Sequence, residues 1–297
     1  MTGLLGHLRL FEPLPGILAW YDGRVPGYRL DPAPNWVDEG ALSVGIAAYA
    51  IWGDGEALVY DTHVTTAHAE RMRADLAARG VTRFRVVLSH WHRDHVAGTA
   101  VFADSPVIAS VRTAAHLARH RAALEDGSFG TPPAIRPLIL PTATFDGEMR
   151  IAVAGREVRL LTFDIHSDDA TVLWLPRERL LLAGDTLEDP LTYVAEPEGL
   201  RRHVAELARM SALCPDRILP AHGDPGRIAA GGFGAGLIAA TARYVGWLAE
   251  LPGQPARAST PLAALLAGDI AAGHVVACDL YDEVHAENVA AVLQAAG

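Results

Sequence analysis

The stretch Leu88-Ser89-His90-Trp91-His92-Arg93-Asp94-His95 places three histidines and an aspartate within six residues. It directly follows Phe84 to Leu88, an apolar run that reads as a buried strand. A strand end is rigid, and alternate residues on it point the same way. His90 and His92 are therefore expected to aim two imidazoles at one metal ion, and Asp94 and His95, beyond the turn, are placed to hold a second. The bland alternative is a surface loop that happens to be rich in histidine. With 13 histidines in 297 residues, such clustering argues for a task.

On either side of this stretch the pattern is regular. Ser43 to Trp52 and Glu56 to Tyr60 are apolar runs around Gly53-Asp54-Gly55, a strong hairpin signal, and the second run ends at Asp61-Thr62. Ala67, Met72, Leu76 and Ala77 then recur at helical spacing, with Gly80 as the C-cap. Downstream, Pro106 to Ser110 reads as a strand, followed by a helix with His116, Leu117, His120 and Leu124, and then by a loop rich in proline and glycine from Gly127 to Pro141. Arg150 to Val153 and Glu157 to Phe163 form a hairpin around Ala154-Gly155, ending at Asp164-Ile165-His166. Ala170 to Leu175 and Arg179 to Ala183 form another, turning at Pro176-Arg177-Glu178.

An internal echo follows. Leu180 to Ala183 runs into Asp185-Thr186, a helix with Leu200, Val204, Leu207 and Leu213 comes next, and the strand Arg217 to Leu219 reaches His222. The earlier half has the same order: strand, Asp61-Thr62, helix, strand, His90. Two such halves suggest a sandwich with two sheets facing inside and helices outside. Because each half delivers a histidine from the corresponding strand end, a site shared between them is expected.

The flanks carry less. Residues 1–40 read as edge strands and loops, with Trp20, Tyr21, Tyr28 and Trp36 serving as packing or as a wall of a substrate pocket. After His222 the chain reads as mostly helical: Phe233 to Leu251, Pro261 to Ala267 and Asp282 to Ala296. No linker separates these parts, so residues 1–297 are expected to form one domain, with a metal-binding core over 41–222 and a helical C-terminal part over 223–297. Met1 to Pro15 has Glu12 and two prolines where a signal peptide needs an unbroken apolar core, so no secretion signal is expected.

Composition narrows the class. Half of the residues are apolar and a fifth are charged, which supports a substantial core. Net charge is 25 − 35 = −10, which argues against nucleic acid as the main partner. No segment reaches the roughly 20 apolar residues of a membrane span. Cys214 and Cys278, the two cysteines, make neither a disulfide framework nor a thiolate zinc cluster, and a cytoplasmic location fits. A homodimer is compatible with these features, and the expected partner is a small-molecule substrate.

His90-Trp91-His92-Arg93-Asp94-His95 resembles the His-x-His-x-Asp-His motif of the metallo-β-lactamase fold superfamily, and the resemblance extends from about Ala41 to His222. Three later landmarks match it in order: His166 after a strand, Asp185 in Ala183-Gly184-Asp185-Thr186, and His222 in Pro220-Ala221-His222-Gly223. The resemblance implies an α/β (α+β) fold, a four-layer αβ/βα sandwich with a helical C-terminal extension, and two zinc ions. It assigns His90, His92 and His166 to the first metal, Asp94, His95 and His222 to the second, and Asp185 to a bridge between them. Imidazole and carboxylate also suit iron or manganese. Asp61, which has no slot in the pattern, is expected to support the histidine loop. His116 and His120 read as a solvated helix face, and His63, His274 and His285 as minor candidates for pocket contacts. Trp91 and Arg93 either face the pocket or shape the loop.

The expected activity is that of a metal-dependent hydrolase: a zinc-bridged hydroxide would attack an ester, thioester, lactone or amide carbonyl, with Asp185 and Asp94 as catalytic carboxylates. Asp94 also carries a proposed share in protonating the leaving group. Asp164-Ile165-His166-Ser167-Asp168-Asp169 resembles true β-lactamases, but these have a cysteine where this chain has Asp185, which argues against antibiotic hydrolysis as the native task. Asp168 and Asp169 either bind a substrate cation or start the next strand. Phosphodiesterase and iron-dependent sulfur dioxygenase chemistry are the alternatives within the fold, and a non-catalytic binding protein is the alternative outside enzyme chemistry. Specificity is expected to lie in the N-terminal aromatic loop, Gly127 to Pro141, and Leu187 to Pro197 with Tyr193, whose hydroxyl either assists an oxyanion or packs.

Overall fold

The computed structural model of the chain describes residues 5–297, so the start of the amino-terminal stretch read above, residues 1–4, lies outside the described residues. In chain order the elements are strands β1 (Arg9–Leu14) and β2 (Ile17–Asp22), a wide helical turn (Val37–Leu42), strands β3 (Ile46–Gly53) and β4 (Glu56–Tyr60), helix α1 (Thr66–Ala77), strand β5 (Arg83–Val87), and the one-turn helix α2 (Arg93–Val96). Strand β6 (Val107–Ser110), helix α3 (Val111–Asp126), and strands β7 (Ala143–Phe145), β8 (Glu148–Val153), β9 (Arg156–Thr162), β10 (Thr171–Leu175) and β11 (Leu180–Gly184) follow. The remainder is α4 (Leu200–Ser211), β12 (Arg217–Pro220), α5 (Pro225–Ala229), α6 (Gly236–Glu250), α7 (Leu262–Ala271) and α8 (Tyr281–Ala296).

The strands form a seven-stranded sheet, in the order β1-β2-β3-β4-β5-β6-β7, and a five-stranded sheet, in the order β12-β11-β10-β9-β8. All three predicted hairpins form, β10 and β11 closing at Leu175 and Leu180, and the other two have the backbone that a two-residue connection needs. Asp54-Gly55 lies between the paired Gly53 and Glu56 with φ of 50° and 74°, and Ala154-Gly155 lies between Val153 and Arg156 with φ of 50° and 72°. The internal echo is structural as well. Helix α1 links β4 to its parallel neighbour β5, and α4 links β11 to its parallel neighbour β12.

Strand alternation divides the core into three seams, which makes the four layers. Ile17, Ala19 and Tyr21 of β2 and Leu58 and Tyr60 of β4 meet Leu173 and Leu175 of β10 and Leu180 and Leu182 of β11 between the sheets. Leu18, Trp20, Ala57 and Val59, one position out of phase, pack under Met72 and Leu76 of α1 and Leu117 and Leu124 of α3. Val172, Trp174, Leu181 and Ala183 face Leu207 and Met210 of α4 and Leu237, Tyr244 and Leu248 of α6. Strands buried on both faces explain why their sequences read as unbroken apolar runs rather than alternating ones. Each such leucine contributes about 1.5–3 kcal/mol through burial.

The N-terminal expectation needs correction. β1 is an edge strand, but β2 lies inside the sheet between β1 and β3 and is buried along its whole length. Proline and glycine flank it without interrupting its ladder. Trp20 and Tyr21 are packing residues: the Trp20 indole donates to Asp75 Oδ2 and the Tyr21 hydroxyl to Gly223 O. Trp36 is buried too, donating to Pro133 O. Smaller differences concern element ends. Ser43 closes the helical turn before β3, and Leu213 lies beyond α4.

Candidate metal centre

Segments from both halves converge where β5, β9, β11 and β12 end. Two backbone hydrogen bonds tie the halves together there, Thr171 N to Ser89 O at 2.7 Å and Ala47 N to Ala221 O at 2.8 Å. The seven side chains singled out in the sequence fall into two groups that share Asp185. One is His90, His92, His166 and Asp185, the other Asp94, His95, Asp185 and His222, and within each the candidate donor atoms lie within 4.8 Å of one another. Asp185 Oδ2 stands 3.2 Å from His95 Nε2, 3.4 Å from His222 Nε2, 3.6 Å from His90 Nε2 and 3.7 Å from His166 Nε2. Asp94 Oδ2 lies 3.3 Å from His222 Nε2 and 3.5 Å from His95 Nε2.

Contacts behind the rings decide what they present. His166 Nδ1 donates to Tyr193 O at 2.9 Å, His222 Nδ1 to Gly45 O at 2.7 Å, and His95 Nδ1 to Asp61 Oδ2 at 2.8 Å. Carbonyl and carboxylate oxygens only accept, so each Nδ1 holds a proton and each ring turns its Nε2 inward, as a lone pair once that nitrogen gives up any proton of its own. His92 Nδ1 and His166 Nε2 stand 3.0 Å apart, while His90 Nε2 and Asp185 Oδ1 are buried with no hydrogen-bond partner. Inward lone pairs opposite carboxylate oxygens repel unless positive charge lies among them. Burial alone would lower His95 and His222, but the fields of Asp185 and Asp94 outweigh it and hold both rings well above the ordinary histidine value. His90 and His166 are lowered by burial, and His92 is pushed down to about 3 by burial and then by His166. His90, His92 and His166 stay neutral, and the protons that Asp185 and Asp94 hold on His95 and His222 are those a divalent cation would displace, so the set suits a divalent cation centre.

The surrounding residues hold these donors in place. Asp61 lies with φ of 64°, a left-handed conformation that costs about 1–3 kcal/mol in a non-glycine residue. It accepts from Ser89 N at 2.7 Å as well as from His95, so it supports the histidine loop as the sequence suggested. Ser89 Oγ lies 2.9 Å from His90 Nδ1. Asp169 accepts from Trp91 N at 3.0 Å and Ser167 Oγ at 2.7 Å, joining the His166 turn to the His90 loop. Asp94 and His95 sit in α2, whose N-cap is His92, so a one-turn helix supplies both residues from a single backbone unit.

Other expectations meet corrections. His116 and His120 are not a free helix face: both stack on Trp91, at 5.5 and 4.7 Å, and His116 Nε2 meets Asp168 Oδ1 at 2.8 Å. Stacking removes the Trp91 ring face from water, which a solvated arrangement would not. Arg93 shapes the loop, donating to Phe129 O and Thr131 O beneath the Trp36 ring. His285 bonds to Tyr244 and Thr260, and His274 to Asp269, within the C-terminal helices. His63 is fully buried and stacks on His68, which itself bonds to Asp22. Tyr193 is 39% exposed beside His166. Sequence reasoning passed over Ser89 and Glu188. Glu188 is buried, accepts from Tyr193 N and Tyr281 Oη, and its carboxyl is pushed up to about 8 by burial. Its signal was an acidic pair, Glu188-Asp189, set between Leu187 and Leu191 soon after Asp185.

Two layered sheets and an Asp185-centred cluster of four imidazoles and two further donors define a class, and the family model agrees. Residues 44–222, more than half of the chain, match the metallo-beta-lactamase superfamily, and the chain belongs to it. Among curated relatives it is 28% identical over 139 residues to the lactamase-like protein vrtG of Penicillium aethiopicum, covering 46% of this chain and 38% of that one. It is 24% identical to the beta-lactamase-like protein 2 homolog of Caenorhabditis elegans (60% and 56% covered) and 27% identical to the 2,4-dinitroanisole O-demethylase subunit alpha of a Nocardioides species (67% and 61% covered). The chain thus spans less than two thirds of the length of each of these relatives. Among solved structures, a metallo-beta-lactamase from Pontibacter korlensis superposes with a TM-score of 0.61 at 16% identity, covering 81% of this chain and 99% of that one. The DIM-1 metallo-beta-lactamase exposed to ceftazidime superposes with a TM-score of 0.60 at 20% identity, covering 81% and 97%. At these identities the likeness is one of fold.

Proposed function

We propose that the protein is a metal-dependent hydrolase of small molecules carrying an ester, thioester, lactone or amide bond. The observation that carries this reading is the inward set of Nε2 atoms on His95, His166 and His222, each ring fixed by an acceptor behind it, around a shared Asp185 oxygen. His90, His92 and His166 would hold one ion, Asp94, His95 and His222 the other, and Asp185 would touch both; zinc is the first choice for this donor set. Two such ions would lower the pKa of bound water and polarise a substrate oxygen, the chemistry a hydrolysis at neutral pH requires.

The chain's own residues supply the rest. Asp185 is 5% exposed and its Oδ2 faces four imidazoles, which suits a fixed structural carboxylate. Asp94 is 17% exposed and lies at the same centre, so of the two it is the carboxylate placed to carry a proton to a departing group. Asp185 stands where the sequence resemblance would put a cysteine in a true β-lactamase; it keeps the centre free of thiolate and directs the reading away from antibiotics.

The test is a substrate panel on zinc-loaded protein: lactones, thioesters, aryl esters, β-lactams, phosphodiesters, and an activated aryl methyl ether in view of the O-demethylase likeness. Turnover of a carboxylic ester, thioester or lactone is expected, with His92→Ala and Asp185→Asn lowering kcat/KM by at least about 100-fold. Full activity in both variants would sink the mechanism.

A further inference from the structure

Asp164, Glu196 and His203 form a separate cluster whose candidate donor atoms lie within 4.8 Å of one another. They come from three places: Asp164 from the segment after β9, Glu196 from the loop ahead of α4, and His203 from the first turns of α4. His203 is 1% exposed, yet its Nε2 has no hydrogen-bond partner. That nitrogen faces Asp164 Oδ1 at 3.6 Å, beyond hydrogen-bond reach, and Oδ1 is likewise buried and unpartnered.

The neighbouring contacts hold these two atoms in place without satisfying them. Asp164 Oδ2 is taken by Arg202 Nε at 3.0 Å, which leaves Oδ1 as the free oxygen. Glu196 Oε1 accepts from Asp168 N at 3.1 Å, which fixes that carboxylate. A β-carbon on Gly199 would stand 2.8 Å from His203 Nε2, so the lack of a side chain at 199 is what keeps the nitrogen open. Burial, then His166 and Arg202, pushes the His203 ring down to about 4, so it is neutral at pH 7 and has a lone pair to offer.

We propose that Asp164, Glu196 and His203 bind a further divalent cation, separate from the centre around Asp185. One imidazole with two carboxylates suits zinc or manganese, and the imidazole disfavours calcium and magnesium. The position gives the ion a purpose. Asp164 lies two residues before His166, Glu196 holds the amide of Asp168 two residues after it, and His166 Nδ1 bonds to Tyr193 O in the loop that carries Glu196. A cation here fastens the His166 turn, that loop and α4 to one another.

The experiment counts metal per folded chain by elemental analysis after loading with zinc, and separately with manganese, followed by exhaustive dialysis. Wild type is compared with His203→Gln, Glu196→Gln and Gly199→Ala, each checked for native circular dichroism. Wild type is expected to retain one equivalent more than every variant, and its thermal midpoint to rise more on metal addition. The difference is independent of the Asp185 centre: if that centre fails to load, all counts drop together and the one-equivalent gap persists. If His203→Gln does not fold, Glu196→Gln and Gly199→Ala decide alone. Equal metal content in wild type and the folded variants would overturn the proposal.

Discussion

At Asp61 one carboxylate serves two tasks. One oxygen receives the Ser89 amide and the other the His95 Nδ1 proton, and the backbone is held left-handed to bring them there. Asp61→Ala would leave the Ser89 amide buried without an acceptor and His95 Nδ1 with only the Ser89 hydroxyl at 3.3 Å, which frees the ring to rotate or change tautomer. Metal affinity at the centre is expected to fall about 10- to 100-fold, measured by competition with a chromogenic chelator. Unchanged affinity in a folded variant would show that His95 is oriented by something else. Ser89 and Asp169 act in the same manner on His90 and Trp91, and both are ordinary residues in sequence.

At the scale of elements, α2 is only one turn long and cannot be stable alone. It is seated on the turn after β4: Thr62 N and Oγ1 both donate to His95 O, at 2.8 and 3.0 Å. Gly98 permits this contact, since a β-carbon there would meet Thr62 O at 2.2 Å and Ala69 Cβ at 2.5 Å. Neither neighbour is the free end of a flexible chain, so the backbone of α2 would have to shift. Gly98→Ala is expected to destabilise the fold by about 1–3 kcal/mol in urea unfolding, with a parallel loss of metal affinity. A stable variant with an intact centre would contradict this packing account.

Across the whole molecule, the junction at Asp189 ties three distant parts together. The Arg24 guanidinium donates to Val44 O and Asp189 O, while the Asp189 carboxylate accepts from Asp224 N and from Val276 N. Burial pushes the Asp189 carboxyl up to about 6, against the pull of the Val276 amide and Arg24. An unfolded aspartate titrates near 3.9. The folded value is the higher, so below about pH 4 the buried carboxyl carries no ionisation penalty, and the penalty grows as pH rises to 6 and is complete above it. Two pKa units correspond to about 3 kcal/mol. Asp189→Asn loses an acceptor at every pH, but its stability relative to wild type is expected to improve by up to that amount between pH 4 and pH 7. Denaturant titrations of both proteins across this range test it, and a pH-independent gap would rule it out.

The sequence alone determined the strand runs, the three hairpin turns, the repeated strand-helix-strand order and the His90–His95 motif. These signals are local: side-chain period, turn backbone and short ligand spacing are written within a few residues of one another. Tertiary structure decided what depends on partners far along the chain. The ring nitrogen that His222 presents is set by Gly45, 177 residues away, and Trp91 is anchored by Asp169, 78 residues away. The interior place of β2 depends on β1 and β3 lying on either side of it, which flanking prolines obscure. The His203 and Asp164 pair follows the same rule: neither residue is unusual in sequence, and only the fold turns two unpaired buried atoms toward one another, because burial and hydrogen-bond satisfaction are properties of the packed chain.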